Sequence, residues 1–205
     1  HYLPKICSGE YPAAGFCLTE ANAGSDPSSM RTTAIVDDGH WVLNGEKIYI
    51  TSAEYAGAFV VWAVTDAKAA KGKGTSCFLV DADTPGLEIS KPESKMGQTG
   101  SSTNTVTFDD CRIPASALLG AEGQGYKVAV GELAGGRIGI ASLALGIGEA
   151  AMDYARSYIV EREQFGQKIG KFQGVSFKLA DMSMELHAAE LLTLKAAWKD
   201  TQGEM

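Results

Sequence analysis

The chain has 205 residues, 45% apolar and 21% charged, and its 25 acidic against 18 basic side chains give a net charge of −7 with histidine neutral. This globular composition excludes generic disorder and a broadly basic nucleic-acid surface, and the length suffices for one domain or two small ones. No uninterrupted apolar run reaches about 18 residues, so no membrane span is expected, and the start lacks the basic-then-apolar order of a signal peptide.

Four cysteines, Cys7, Cys17, Cys77 and Cys111, form no CxxC pair. With three scattered histidines they argue against a zinc site and read as thiols of a reducing compartment. The first residue is His1 rather than methionine, so a processed or excised piece of a longer chain is expected.

Residues 30–37 read as a strand, Asp38-Gly39 as its turn and 40–43 as the returning strand. Asn44-Gly45 is a second two-residue hairpin signal, followed by a strand over 46–51. Residues 58–64, 75–80, 87–90 and 103–109 supply further strands, and the link 65–74 is expected to be exposed. The sum is a middle antiparallel β-domain of about six to eight strands, barrel-like or a pair of packed sheets.

Near residue 115 the apolar period changes to 3.6. Residues 123–136 and 137–162 have a helical pattern, although seven glycines between 125 and 148 lower their propensity. Several of those glycines fall three or four residues apart, which suits close helix packing. From Phe172 the stripe Phe172, Val175, Leu179, Met182, Leu186, Ala189, Thr193 and Ala196 marks a second long helix. The two helices, joined around 166–170, make half of a four-helix bundle and leave apolar faces needing partners. The expected class is α+β, with a β-domain over 1–115 and a partial helical domain over 116–205.

The most informative stretch is Phe16-Cys17-Leu18-Thr19-Glu20-Ala21-Asn22-Ala23-Gly24-Ser25-Asp26. It begins as a strand and ends in a small-residue turn whose successive N–H groups, with the Thr19 and Ser25 hydroxyls, suit phosphate or carbonyl oxygens. It is neither GxGxxG nor a P-loop. A plain β-domain connection with Ser and Asp as turn formers is the alternative. Tyr49-Ile50-Thr51 closes an alternating strand, where a hydroxyl could face a ligand or the tyrosine could be an ordinary β-domain aromatic. Ala134-Gly135-Gly136-Arg137 is expected to interrupt or narrow an apolar helix and to supply a lone cation. Arg162, Phe165 and Gln173 bracket the helix-hairpin turn, where an arginine fork suits a pyrophosphate; a solvated pair with Glu161 or Glu163 is the alternative. Met96, beside glycine, reads most simply as a core methionine.

FCLTEANAGSD followed by WVLNGEKIYIT resembles the two flavin-side signatures of the acyl-CoA dehydrogenases, and GSSTNTVTFDDCRIP, GRIGIASLALGIGEA and EREQFGQKIGKFQ continue the resemblance in order. It covers essentially the whole chain and is nearest to the short-chain, butyryl-CoA type. The resemblance implies FAD as cofactor, contacted by the segment Phe16 to Ser25 and by Tyr49, Ile50 and Thr51, with the Thr51 hydroxyl near the hydride-accepting N5. It implies that Arg162, Phe165 and Gln173 approach the flavin of a neighbouring subunit, which makes a homo-oligomer, a tetramer in the intact protein, part of cofactor binding. Ser25 and the segment Ala134, Gly135, Gly136 and Arg137 are implied acyl-CoA contacts. Three positions depart from the family's usual residues: Tyr49 stands for tryptophan, Ala134 for aspartate and Thr99 for arginine.

The implied reaction is α,β-dehydrogenation of a short acyl-CoA, with electrons passed to an electron-transferring flavoprotein. Location would be cytoplasmic in a bacterium or the mitochondrial matrix in a eukaryote. The family also has a helical domain before the β-domain and further helices after the second long one. In the short- and medium-chain types the base lies in that later region, beyond Met205, and the alternative base position is occupied here by Gly136. Neither Glu20, Glu132 nor Glu149 matches a base position, so this chain is expected to be catalytically incomplete. An acyl-CoA oxidase, or a noncatalytic acyl-CoA- or flavin-binding or assembly module, are the alternatives.

Overall fold

A computed structural model describes residues 1–204; Met205, the end of the expected helical domain, lies outside the described residues. The chain divides into two compact units, His1–Val130 and Gly131–Met205. The class is α+β, as expected.

The first unit opens with α1 (Tyr2–Ser8), which no sequence signal marked, closed by Gly9 in the left-handed region at φ 79°. Eight strands follow: β1 (Ala13–Cys17), β2 (Thr33–Asp37), β3 (His40–Thr51), β4 (Ala56–Val64), β5 (Thr75–Asp81), β6 (Leu87–Ile89), β7 (Thr103–Pro114) and β8 (Leu118–Leu119). The sheet order is β6-β7-β3-β2-β4-β5-β8, with β1 added on β4. Most pairings are antiparallel. Two are not: β1 runs parallel to β4, and β2 meets β4 in a single parallel pairing, Thr33 to Val64. β8 pairs with β5, so the sheet continues past residue 115. Inward positions of β3, β4, β5 and β7 build one core around Leu43, Phe59, Val61, Phe78 and Val106, while a second cluster gathers Leu18, Ala23, Met30 and Cys77 about Trp62. β3 and β7 alternate between buried and more open positions, whereas β4 and β5 are buried on both faces, with alternate side chains entering the two clusters.

Asp38-Gly39 forms the expected turn, both residues at positive φ, between paired Asp37 and His40. Asn44-Gly45 does not. It lies inside the single twelve-residue strand β3, where the register against β7 shifts between Leu43 and Gly45. The Asn44 amide, instead of closing a turn, exchanges bonds with Asp110: its Nδ2 donates to Oδ1 at 3.0 Å, and its Oδ1 accepts the Asp110 N–H at 2.8 Å. Gly45 adopts φ 145°, and a Cβ there would lie 2.5 Å from Thr32 Oγ1 and 2.7 Å from Thr32 Cα. A glycine bulge and a hairpin turn share the same dipeptide, and the tertiary partner decides between them.

Downstream, α2 (Gly125–Glu161) is one uninterrupted helix. The expected break at Ala134-Gly135-Gly136-Arg137 is absent, because neither glycine nor alanine obstructs the helical backbone. α2 also contains a stretch long and apolar enough, by length and composition alone, to cross a membrane. That criterion tolerates charged residues within the stretch, whereas the expectation above concerned uninterrupted apolar runs, of which there is none of that length. β9 (Glu163–Gln164) and β10 (Gln167–Lys168) form a miniature hairpin before α3 (Gln173–Thr201). A Cβ on Gly148 would meet Leu186 Cδ2 at 2.6 Å, so close helix packing is real there. Among the described residues, nothing lies within 4 Å of a Cβ built on Gly131, Gly135, Gly136, Gly139 or Gly146. Ile140, Leu143, Ile147, Leu191, Leu194 and Trp198 stand exposed on the two helices, the apolar faces expected of half a bundle.

Candidate functional site

β1 delivers the chain into a tight reverse turn: the Ala23 N–H donates to the Glu20 carbonyl at 3.0 Å, and the Glu20 N–H to the Ala23 carbonyl at 3.2 Å. Beneath this turn lies a buried ion pair. Lys47 Nζ, fully enclosed, stands 2.8 Å from Glu20 Oε1 and also donates to the Leu18 carbonyl at 3.2 Å. The Glu20 carboxylate accepts the amides of Arg31 at 2.6 Å and Thr32 at 3.0 Å. Burial raises its pKa, but the Lys47 charge and these hydrogen bonds outweigh that, and the net position lies below the usual glutamate value. The Ile48 N–H donates to the Thr19 carbonyl at 2.9 Å, which lays the strand before Tyr49 against the turn.

The expected cofactor residues therefore separate by side-chain direction. Phe16, Ala21, Asn22, Gly24, Ser25, Tyr49 and Thr51 are exposed, and Thr19 is half-buried. Cys17, Leu18, Glu20, Ala23 and Ile50 turn their side chains into the interior, so only their main chain can meet a ligand. Burial pushes the Cys17 thiol up to about 12. The Phe16 ring leans on Trp62 with centroids 4.5 Å apart. Tyr49 sits at φ 60° where the register against β7 shifts again, between Lys47 and Ile50, and Ser52 follows at φ 56°. A bulky residue in the left-handed region is uncommon, and here the irregularity turns an aromatic ring out to solvent.

The residues fit a ligand with anionic and carbonyl oxygens. Among the described residues, the N–H groups of Gly24 and Ser25 donate to no protein acceptor, and a Cβ on Gly24 would meet nothing within 4 Å. The bare glycine leaves room for a ligand rather than for a neighbouring side chain. At the turn's far end Asp26 accepts from Ser28, from Ser29 at 2.7 Å and from Lys71 at 2.9 Å, which anchors the exposed 65–74 link to it.

In the second unit, Ala134 and Arg137 line an apolar groove of about 520 Å³ with Ile138, Ala141, Leu192, Thr193 and Ala196. Gly135 and Gly136 are exposed on the same helix. Arg162, Phe165 and Gln173 cluster about the miniature hairpin and are all exposed. Arg162 makes no ion pair with Glu161 or Glu163. Lys168 takes that place, 2.9 Å from the Glu163 carboxylate and donating to the Glu161 carbonyl at 3.1 Å. Met96, expected in the core, is fully exposed on its loop. Lys47 is the residue that sequence reasoning missed. Its signal was register: a lysine on the inward face of an alternating strand needs an anion, and Glu20 was already in the preceding motif.

A family model described as the acyl-CoA dehydrogenase middle domain matches residues 15–111, and one described as the C-terminal domain of the same family matches 123–205. The human mitochondrial short-chain specific acyl-CoA dehydrogenase is 50% identical over 182 residues, covering 89% of this chain and 44% of that protein. The solved structure of butyryl-CoA dehydrogenase from Megasphaera elsdenii superposes with a TM-score of 0.93 at 43% identity, covering 100% of this chain and 53% of that one. A structure of PigA with FAD and proline gives a TM-score of 0.95 at 32% identity, over 100% of this chain and 53% of the other. The chain thus spans about half the length of the relatives it matches. With both family regions matched in order along a sheet unit and a long-helix unit, the chain belongs to the acyl-CoA dehydrogenase family.

Proposed function

We propose that this chain is part of an FAD-dependent dehydrogenase that forms an α,β double bond in short saturated acyl-CoA thioesters. The observation that carries the reading is the rim formed by two segments pinned side by side: the Gly24 and Ser25 amides without protein acceptors, and the outward Tyr49 and Thr51. Such a rim suits a planar ring with polar edges continuing into a phosphate tail. Phe16, Thr19, Ala21, Asn22, Gly24, Ser25, Tyr49 and Thr51 would offer side-chain or main-chain contacts, and Cys17, Leu18, Glu20, Ala23 and Ile50 main chain alone. The Thr51 hydroxyl would donate to the flavin ring, stabilising charge there. Arg162, Phe165 and Gln173 would serve the flavin of another copy in a homo-oligomer, a tetramer. Ser25, and separately Ala134, Gly135, Gly136 and Arg137, would contact acyl-CoA.

FAD, when bound, supplies the hydride acceptor, and an electron-transferring flavoprotein would receive the electrons. The residues of this chain bind and orient. None supplies the base: Glu20 is committed to Lys47, and Gly136 carries no acid. The 205-residue chain by itself is therefore proposed not to turn over, because a positioned base contributes roughly 10²–10⁴-fold and the aligned cleft more.

The test is anaerobic flavin reduction by butyryl-CoA in this chain, beside a form extended at its carboxyl terminus. Reduction in the extended form alone, abolished when its candidate glutamate becomes glutamine, supports the reading. Rapid reduction by both would show the base to be misplaced. Peroxide on admitting air, without transfer to a flavoprotein acceptor, would mark an oxidase instead.

A further inference from the structure

Glu20 and Lys47 form a buried ion pair, and among the described residues their side chains bond to the segment entering the turn, to the chain where it returns and, at 3.9 Å from Lys47 Nζ, to Met30 Sδ. Lys47 reaches back from β3 to the Leu18 carbonyl and to Glu20, on the strand side of the turn. Glu20 reaches forward to the Arg31 and Thr32 amides, where the chain returns to the sheet. Lys47 also stands at the register shift that turns Tyr49 outward. One pair thus grips both ends of the loop spanning residues 20–32 and the strand that carries Tyr49, Ile50 and Thr51.

A buried ion pair is weak evidence for stability, since apolar residues of similar volume fill a core as well or better. A charged pair with satisfied hydrogen bonds fixes direction, which apolar contacts do not. We propose that Glu20 and Lys47 are positioning residues that lock the two flavin-side segments into one rigid binding surface, without touching the ligand themselves. The proposal rests on the flavin reading above.

The experiment uses the full-length parent protein carrying Glu20→Gln with Lys47→Met, a combination that leaves no unpaired buried charge and keeps one carbonyl acceptor for the two amides that Glu20 serves with two oxygens. The folded double variant should bind FAD about tenfold or more weakly, with a shifted flavin absorption spectrum. The Ala23 and Ile48 amides should exchange faster while those of Val61 and Phe78 in the same sheet do not. FAD affinity within about twofold of wild type, with unchanged exchange at Ala23 and Ile48, would overturn the proposal and reduce the pair to space filling. Should the double variant fail to fold, Lys47→Arg, which keeps the charge and moves the donors, is subject to the same two readouts. A wild-type parent that binds no FAD would sink the flavin reading, and the exchange comparison would then decide the locking role alone.

Discussion

The indole N–H of Trp62 donates to the carbonyl of Gly125 at 2.8 Å, tying the middle of β4 to the first turn of α2. Trp62 is wholly buried, and Gly125 is pressed against β5: a Cβ there would lie 2.6 Å from the carbonyl carbon of Ser76 and 2.8 Å from its Cα. The start of α2 is therefore set by the sheet. Trp62→Phe keeps most of the apolar bulk but loses the bond, and should cost about 1–3 kcal/mol. Gly125→Ala meets backbone rather than a yielding side chain and should cost at least as much. Denaturant midpoints of the two variants measure this, and an unmoved midpoint for Trp62→Phe would show the indole bond to be idle.

Gly45 offers a sharper case. Its φ of 145° and the approach of Thr32 leave no space for a side chain. Gly45→Ala should destabilise the first unit by about 1–3 kcal/mol through strain at the bulge. If Asn44-Gly45 were a hairpin turn, alanine would instead disturb a solvent-exposed tip. The two readings part on the Asn44–Asp110 bonds, which a register slip would break, and amide exchange at Asp110 reports it directly.

These two glycines show how far the sequence was legible. Period two against period 3.6 was enough for the α+β class and for most strands, since burial of one face enforces it. The Asn44-Gly45 bulge was not readable, because the dipeptide permits either outcome and only β7 and Thr32 select one. The continuity of α2 through Gly135 and Gly136 was hidden for a similar reason: propensity counsels a break, and a long apolar surface overrides it. At the candidate site, the motif FCLTEANAGSD located the turn but not the direction of its side chains. Cys17 and Ile50 join the main core while Leu18 and Ala23 join the cluster about Trp62, so neighbours Cys17 and Leu18 are both buried, on opposite sides of the chain, which the motif alone does not announce.

Acid should loosen the first unit through Glu20. Its carboxyl is raised by burial and lowered by more by Lys47 and the donors around it, so the folded value lies below the unfolded value of 4.5. The unfolded chain then binds the proton more tightly than the folded one. The stability from this group is fully present above about pH 4.5 and is lost as pH falls through the lower folded value. Wild type should therefore lose more unfolding free energy between about pH 5 and 3 than a Glu20→Gln variant, although the variant starts less stable at neutral pH. Parallel pH profiles for the two proteins would count against a titrating Glu20.

Phe165 supplies the last test, because its local geometry and its proposed role pull apart. Phe165 and Gly166 make the two-residue turn between β9 and β10, both left-handed, at φ 51° and 75°. Such a turn favours asparagine before glycine, and a phenylalanine held there costs on the order of 1 kcal/mol. The ring is 93% exposed and meets Phe172 edge-on at 6.1 Å, a contact of the same order as the strain, so the two roughly cancel. Phe165→Asn should therefore leave the thermal midpoint of the apoprotein nearly unchanged. If the ring and Arg162 serve the flavin of another copy, the same substitution should weaken FAD retention in the assembled parent. Arg162→Ala should do likewise, and among the described residues its guanidinium forms no ion pair whose loss would disturb the fold. Thermal unfolding without FAD, set beside flavin affinity and stoichiometry per subunit, separates the outcomes. A midpoint that falls together with affinity would make Phe165 a residue of the fold. Unchanged affinity in both variants would remove the hairpin from the cofactor site.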